Sequence, residues 1–262
     1  MRKEHLPYLQ SKKGYISDMD GVLYHGDILL PGVKEFVHWL KKEKKSFLFL
    51  TNSSERTPRE LQEKMARMGI EVERSVFYTS ALATASFLAS QRPRGSAYII
   101  GEAGLINALY NVGYTINSVD PDYVVVGETR TYSYEKIEKA VNLVLNGARL
   151  IGTNPDTTGP SESGIVPATK ALIAPIEVAT GKKAYYVGKP NPLMMRSALK
   201  KLGVRREDAL IIGDRMDTDI VAGIESEIDT ALVLSGITNR KMIEDFPYKP
   251  KFVLQGVGEI AT

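Results

Sequence analysis

The sequence predicts an α/β fold built on parallel sheets, with the middle of the chain forming a domain inserted into a discontinuous outer one. Three observations point there. Short β-branched or apolar runs alternate with segments of helical period, the pattern of strands joined by crossover helices. These units outnumber what one small sheet usually carries, so they divide between two sheets. Gly- and polar-rich loops around Thr79-Ser80 and Thr180-Gly181-Lys182-Lys183 offer places for the chain to cross from one sheet to the other.

In chain order the candidate strands are Tyr15 to Asp18, Phe47 to Thr51, Tyr98 to Gly101, Tyr123 to Gly127, Leu150 to Thr153, Tyr185 to Gly188, Leu210 to Asp214 and Ala231 to Gly236, each ending on a glycine or a polar residue. Between them, Val33, Phe36, Val37 and Leu40 repeat at helical spacing, as do Leu61, Met65 and Met68. The second of these helices carries its own start signal: Thr57 as N-cap, Pro58 at the first helical position and Glu60 placed to close a capping box. Ile137, Val141, Val144 and Leu145 mark a third helix and Met195, Ala198, Leu199 and Leu202 a fourth, all expected to face a core.

Composition narrows the chemistry. With 262 residues, 43% of them hydrophobic and 25% charged, the chain can bury one large core or two modest ones. Its 34 basic and 31 acidic side chains leave a formal charge of only +3, spread along the chain, so a nucleic-acid binder is not expected. The basic run Lys41 to Lys45 reads as a solvated helix end that complements the helix dipole. There is no cysteine, which excludes disulfides, thiolate metal sites and a cysteine nucleophile. His5, His25 and His38 lack the spacing of a zinc site and any obvious partner. The polar stretch Met1 to Gly14 lacks a secretory signal's apolar run and no later segment is long enough to span a bilayer, so residence in the cytoplasm is expected.

The strongest local signal is Asp18-Met19-Asp20-Gly21, where an apolar run stops. Ligands of open parallel sheets bind at the carboxyl ends of strands, so two carboxylates there face a crevice; Asp-Gly alone also reads as a turn. Asp214 stands at a strand end in the same way, within Gly213-Asp214-Arg215-Met216-Asp217-Thr218-Asp219. One of Asp217, Thr218 or Asp219 would cap the helix that follows, and Asp217 reads as a cap or a solvated turn. If the two strands are neighbours, Asp18, Asp20 and Asp214 converge, and their repulsion calls for protons or a cation. A few oxygen ligands favour Mg2+, which commonly shares its shell with a substrate phosphate. Thr51 and Asn52 follow a strand without being used for capping and can donate to phosphoryl oxygens, and Lys189 is either a surface lysine or the cation that neutralises them. A P-loop is absent, and Gly159 to Gly164 only approximates a nucleophile elbow.

Taken in order, the Asp-x-Asp-Gly, the strand ending in Thr-Asn, the Gly-Lys-Pro and the Gly-Asp followed by Thr-Asp resemble the haloacid dehalogenase superfamily, and within it the NagD-type phosphatases that include the 4-nitrophenyl phosphatases. The likeness extends from about Gly14 to the C-terminus and includes Ser75 to Ser80, Thr153-Asn154-Pro155-Asp156, Tyr186 to Pro190 and Leu232 to Gly236. It implies a Rossmann-like core, residues 1–79 and 184–262, with an α/β cap at 80–183. It further implies phosphomonoester hydrolysis with Mg2+ and an aspartyl-phosphate: Asp18 as nucleophile, Asp20 as general acid/base, Thr51, Asn52 and Lys189 on the phosphate, the metal on Asp18, the Asp20 backbone carbonyl and Asp214, and Asp219 orienting the metal shell or Lys189. A homodimer through the cap also fits the resemblance.

The cap is expected to choose a small phosphorylated metabolite. Thr153 to Asp156 is either a loop facing the site or a structural turn, and the segment Thr157 to Gly164 has no aromatic for stacking a base, which favours sugar phosphates over nucleotide monophosphates. A phosphotransferase or mutase using the same intermediate, and a non-catalytic binder of a phosphorylated metabolite, are the alternatives.

Overall fold

The computed structural model describes residues 5–161 and 164–262. Glu162 and Ser163 of the approximate nucleophile elbow, and the first four residues of the polar N-terminal stretch, lie outside the described residues. The chain runs α1 (Leu6–Ser11), β1 (Gly14–Ser17), β2 (Tyr24–His25), β3 (Ile28–Leu29), α2 (Val33–Lys42), β4 (Ser46–Thr51), α3 (Pro58–Arg67) and β5 (Phe77–Thr79). It continues with α4 (Ser80–Gln91), β6 (Ser96–Ile100), α5 (Ala103–Asn111), β7 (Thr115–Ile116), β8 (Tyr123–Val126), α6 (Tyr134–Leu145), β9 (Arg149–Gly152), β10 (Thr158–Ser161), β11 (Gly164–Pro167), α7 (Thr169–Thr180) and β12 (Tyr185–Tyr186). The last stretch is α8 (Pro192–Leu202), β13 (Ala209–Gly213), α9 (Val221–Glu225), β14 (Asp229–Val233) and β15 (Phe252–Leu254).

These elements belong to two compact units. The first, up to Thr51 with Leu61–Tyr78 and Lys189–Thr262, holds a six-stranded sheet ordered β15-β14-β13-β1-β4-β5. From β15 to β4 every pairing is parallel. β1 and β13 are buried along their whole length, which is why both read as unbroken apolar or small-residue runs without alternation. Helix α2 buries Val33, Phe36, Val37 and Leu40 against this sheet's core, in the company of Tyr15, Phe49, Leu61 and Met65. Each such side chain contributes about 1.5–3 kcal/mol on burial, against about 0.3 kcal/mol for an exposed i,i+4 pair, so packing and not surface charge holds the helix.

The second unit, Asn52–Glu60 with Thr79–Gly188, holds a five-stranded parallel sheet ordered β12-β9-β8-β6-β7. A two-stranded antiparallel ribbon, β10 with β11, accompanies it. Helices α6 and α7 close one core with Ala140, Leu143, Val144, Leu172, Ile173 and Ile176. Here the expected stripe shifts: Leu145 is 57% exposed, while Ala140 and Leu143 take the core positions. Ala140, Leu143 and Val144 fall within an arc of about 100° around the helix, and Leu145 lies about 100° beyond the Val144 edge of that arc, so it turns away from the core they share. The polar pair Thr79-Ser80 is also no loop, since Thr79 caps α4 by accepting the Leu82 N–H at 3.2 Å. The Thr180 to Lys183 signal is a helix end, with Gly181 in the left-handed conformation.

The capping box at α3 is present in both directions: the Glu60 N–H donates to Thr57 Oγ1 at 3.3 Å and the Thr57 N–H donates to Glu60 at 2.7 Å. Thr57→Ala removes the hydroxyl acceptor. It is expected to lower unfolding stability by about 1 kcal/mol, read as a lower urea midpoint at unchanged slope; an unchanged midpoint would show the cap to be idle.

Candidate active site

β1 lies between β13 and β4, with Ser17 level with Ile212 on one side and Phe49 on the other. The Asp18 N–H extends the ladder by donating to the Ile212 carbonyl at 2.8 Å. Asp18 and Asp214 thus leave the carboxyl ends of adjacent parallel strands, where open α/β sheets bind ligands. Asp214 Oδ2 accepts the Ile237 N–H at 2.8 Å. Two glycine backbones pack on that carboxyl: a Cβ on Gly21, whose φ is +76°, or on Gly236 would collide with it.

Asp219 comes from a π-helical turn, Met216–Ile220, that follows β13. It is fully buried; Oδ1 accepts from Lys189 Nζ at 2.6 Å and Oδ2 from the Arg215 N–H at 3.1 Å. Its carboxylate is therefore spent on Lys189 and the turn, and α9 has no side-chain cap. Asp217 faces solvent in a two-pronged pair with Arg215, the solvated reading of that residue. Lys189 is no surface lysine: it is 2% exposed, and its ammonium also lies 2.8 Å from Asp18 Oδ1.

Carboxylate oxygens of Asp18, Asp214 and Asp219 lie within 4.8 Å of one another. The third member of this cluster is thus Asp219, whereas the Asp20 side chain is 46% exposed and 3.7 Å from His25 Nδ1. His25 does have partners, since its Nε2 lies 2.8 Å from the Ser235 carbonyl. Three carboxylates face one ammonium, and all donor atoms are oxygens, a set that suits a hard divalent cation.

Burial is the main force on these groups. It raises Asp18 to about 8, aided by Asp219 and Asp214 and opposed by Lys189. It raises Asp214 to about 6, with Asp219 adding to the rise. Burial also raises Asp20, against the pull of His25 and Lys64. For Lys189 burial acts downward, but the Asp18 and Asp219 carboxylates outweigh it and the ammonium is held above its ordinary value.

Thr51 closes β4, beside β1. Asn52 packs within the second unit: its Nδ2 donates to Asp156 Oδ2 at 2.9 Å, and its carbonyl accepts from Asn154 Nδ2 at 2.7 Å and from Ser80 Oγ. Asn154 Nδ2 also lies 2.6 Å from Glu128 Oε1, and Glu128 Oε2 accepts both the N–H and the hydroxyl of Ser54. Neither Glu128 nor Ser54 was expected from the sequence. A signal existed, because Gly127-Glu128 follows β8 as Asp18 follows β1.

Residues 15–115 match a family model described as haloacid dehalogenase-like hydrolase, and residues 186–260 match a second, HAD-hydrolase-like model. The chain is 47% identical to a dihydroxyacetone phosphatase of Corynebacterium glutamicum, over 94% of this chain and 90% of that protein. It is 44% identical to the ribonucleotide monophosphatase NagD of Escherichia coli, over 95% and 98% of the two chains, and the solved NagD structure superposes with a TM-score of 0.91. The 4-nitrophenylphosphatase structure from Thermotoga maritima, 36% identical, covers 97% of both chains with a TM-score of 0.93.

A carboxyl group whose folded pKa stands above its unfolded one binds more protons folded than unfolded, so it opposes folding increasingly as pH rises between the two values. For Asp18 that window runs from 3.8 to about 8. With a chelator present, the urea midpoint of the wild type is expected to fall between pH 5 and pH 8, and Asp18→Asn to flatten the fall. A fall of the same size in the variant would rule out Asp18 as its source.

Proposed function

The chain belongs to the haloacid dehalogenase-like hydrolases and is a phosphoric monoester phosphatase, and from that premise we propose that it acts through a phosphoryl group carried covalently on Asp18. The observation that supports this most directly is the Lys189 ammonium set against both Asp18 and Asp219, with Asp214 beside them at the strand ends.

In this reading an Asp18 carboxylate oxygen attacks phosphorus in line as the ester P–O bond breaks, dividing one hard displacement into two. Asp20 gives its proton to the leaving oxygen, then takes a proton from the water that cleaves the acyl phosphate, which frees inorganic phosphate and restores Asp18. A carboxyl raised by burial, as Asp20 is, holds its proton further toward neutral pH, which suits the first of those duties. Lys189, Thr51 and Asn52 hold the phosphoryl oxygens, and Asp219, bound to Lys189, sets the direction of the ammonium. A divalent cation, here taken as magnesium, would be held by Asp18, Asp214 and the Asp20 main-chain carbonyl, where it supplies charge stabilisation to the phosphoryl group.

The substrate is proposed to be a small phosphorylated metabolite, a sugar phosphate or a nucleotide monophosphate; the relatives' names cover a triose and ribonucleotides. Residence in the cytoplasm and a homodimer formed through the second unit belong to the same proposal. Among the described residues no helix is long and apolar enough to cross a membrane.

With magnesium, the protein is expected to release 4-nitrophenol from 4-nitrophenyl phosphate, release that a chelator abolishes. Asp18→Asn should lower turnover by roughly 10⁴-fold or more, and substantial residual turnover in that variant would sink the covalent scheme. Asp20→Asn separates its role by leaving group. Its kcat/KM on an alkyl phosphate should drop by about 10²–10⁴-fold, with a much smaller loss on 4-nitrophenyl phosphate, whose leaving group needs little protonation. Equal losses on both substrates would count against general-acid catalysis by Asp20.

A further inference from the structure

Glu128 stands just beyond β8, the central strand of the second sheet, and Asn154 just beyond its neighbour β9. Neither belongs to the carboxylate cluster. Their side chains meet: Asn154 Nδ2 donates to Glu128 Oε1 at 2.6 Å and to the Asn52 carbonyl at 2.7 Å. The other Glu128 oxygen accepts the Ser54 N–H at 3.1 Å and the Ser54 hydroxyl, and the Glu128 N–H returns a bond to Ser54 Oγ at 3.3 Å. Asn154 and Ser54 are fully buried.

The segment these bonds grip is the one that continues from Thr51. Within three residues, the Asn52 carbonyl, the Asn52 amide and the Ser54 backbone are each tied, to Asn154, Asp156 and Glu128. The chain leaving the second unit is gripped at the same place. The Gly188 N–H donates to the Thr153 carbonyl at 2.7 Å, and a Cβ on Gly188 would lie 2.8 Å from both Asn154 Cβ and Asn52 Oδ1. Lys189 is the next residue. The residue that follows Thr51 and the residue that precedes Lys189 are thus held in one network within the second unit, whose carboxylates are Glu128 and Asp156.

We propose that Glu128 is a positioning residue for the phosphate-binding segment: an acceptor-only carboxylate that holds Ser54 and Asn154, and through them the Asn52 loop. The inference rests on the phosphatase reading for what that loop binds. Both Glu128 oxygens serve as acceptors, a pattern that favours the anion and opposes the upward push burial gives this carboxyl. Each Glu128 oxygen already receives a donor, so an amide in its place would turn an NH₂ toward a second donor and leave both without an acceptor.

The experiment compares wild type with Glu128→Gln and Glu128→Ala, in magnesium, measuring KM and kcat for 4-nitrophenyl phosphate, Ki for inorganic phosphate, and the thermal midpoint. Glu128→Gln is expected to raise Ki and KM by about 10-fold, equal to about 1.4 kcal/mol of lost phosphate binding, with a smaller change in kcat. The glutamine variant keeps the side-chain volume, so it carries the test where the alanine variant fails to fold. Unchanged Ki and KM in a folded Glu128→Gln would overturn the proposal, whatever the midpoint does. Calorimetric titration of wild type with inorganic phosphate keeps the two readings apart. Phosphate binding without turnover would overturn the phosphatase reading and leave Glu128 to be judged by its effect on that binding. A wild type that neither binds phosphate nor turns over would overturn both.

Discussion

The ammonium of Lys189 is the point on which the first unit's site depends. It is 2% exposed and lies within 2.8 Å of carboxylates from two different elements, the end of β1 and the turn after β13. Burying an ammonium or a carboxylate alone is prohibitive, and breaking a buried pair by removing one partner costs about 3–5 kcal/mol. The ion pairs therefore constrain where the chain can re-enter the first unit. Lys189 must arrive beside Asp18 and Asp219, and Asn191, two residues on, caps α8 by accepting the Leu193 N–H at 2.9 Å. Helix start and charge compensation are solved within a few residues.

Strand adjacency does the rest of the gathering. Parallel pairing of β1 with β13 places both carboxyl ends on one edge, so Asp18 and Asp214 meet although 196 positions of sequence, by the difference of their numbers, lie between them. Glycine makes the approach close. Gly21 and Gly236 back onto Asp214, and Gly213 backs onto Asp219 so tightly that a Cβ would overlap its carboxyl. Replacing any of these with alanine would have to displace a carboxylate, and at Gly21 it would also strain a positive φ.

What the sequence made legible follows from what is local. The apolar runs, the capping box at Thr57 and the acidic residues at strand ends are each a few residues long, and each names its own element. Lys189 is readable from the residues as a surface lysine or a phosphoryl cation, but a Gly-Lys-Pro says nothing of its depth, and only tertiary packing buries it. Burial phase was harder: Val144 and Leu145 are both apolar, and only packing against α7 selects the face that includes Leu143. The network around Glu128 was missed because its members, Asn52, Ser54, Glu128 and Asn154, come from three separate stretches, and each alone is an ordinary polar residue after a strand. That Asn52–Glu60 packs with the second unit is likewise a property of tertiary contacts and not of its composition.

Charge at the strand ends does not balance by itself. A nucleophilic carboxylate must be ionised to attack a phosphate, yet with Lys189 already 2.8 Å away burial still holds Asp18 at about 8. Lys189 is shared with Asp219, so one positive charge answers for two carboxylates before Asp214 is counted. A second cation would favour the ionised form of Asp18 near neutral pH, the form its proposed role needs, because an adjacent positive charge favours the anion over the acid. Added protons would relieve the same repulsion, but they would do so by neutralising the nucleophile. Of the two ways to relieve a crowded carboxylate cluster, a bound cation is the one compatible with the covalent catalysis proposed for Asp18, and the oxygen-only donor set suits a hard one.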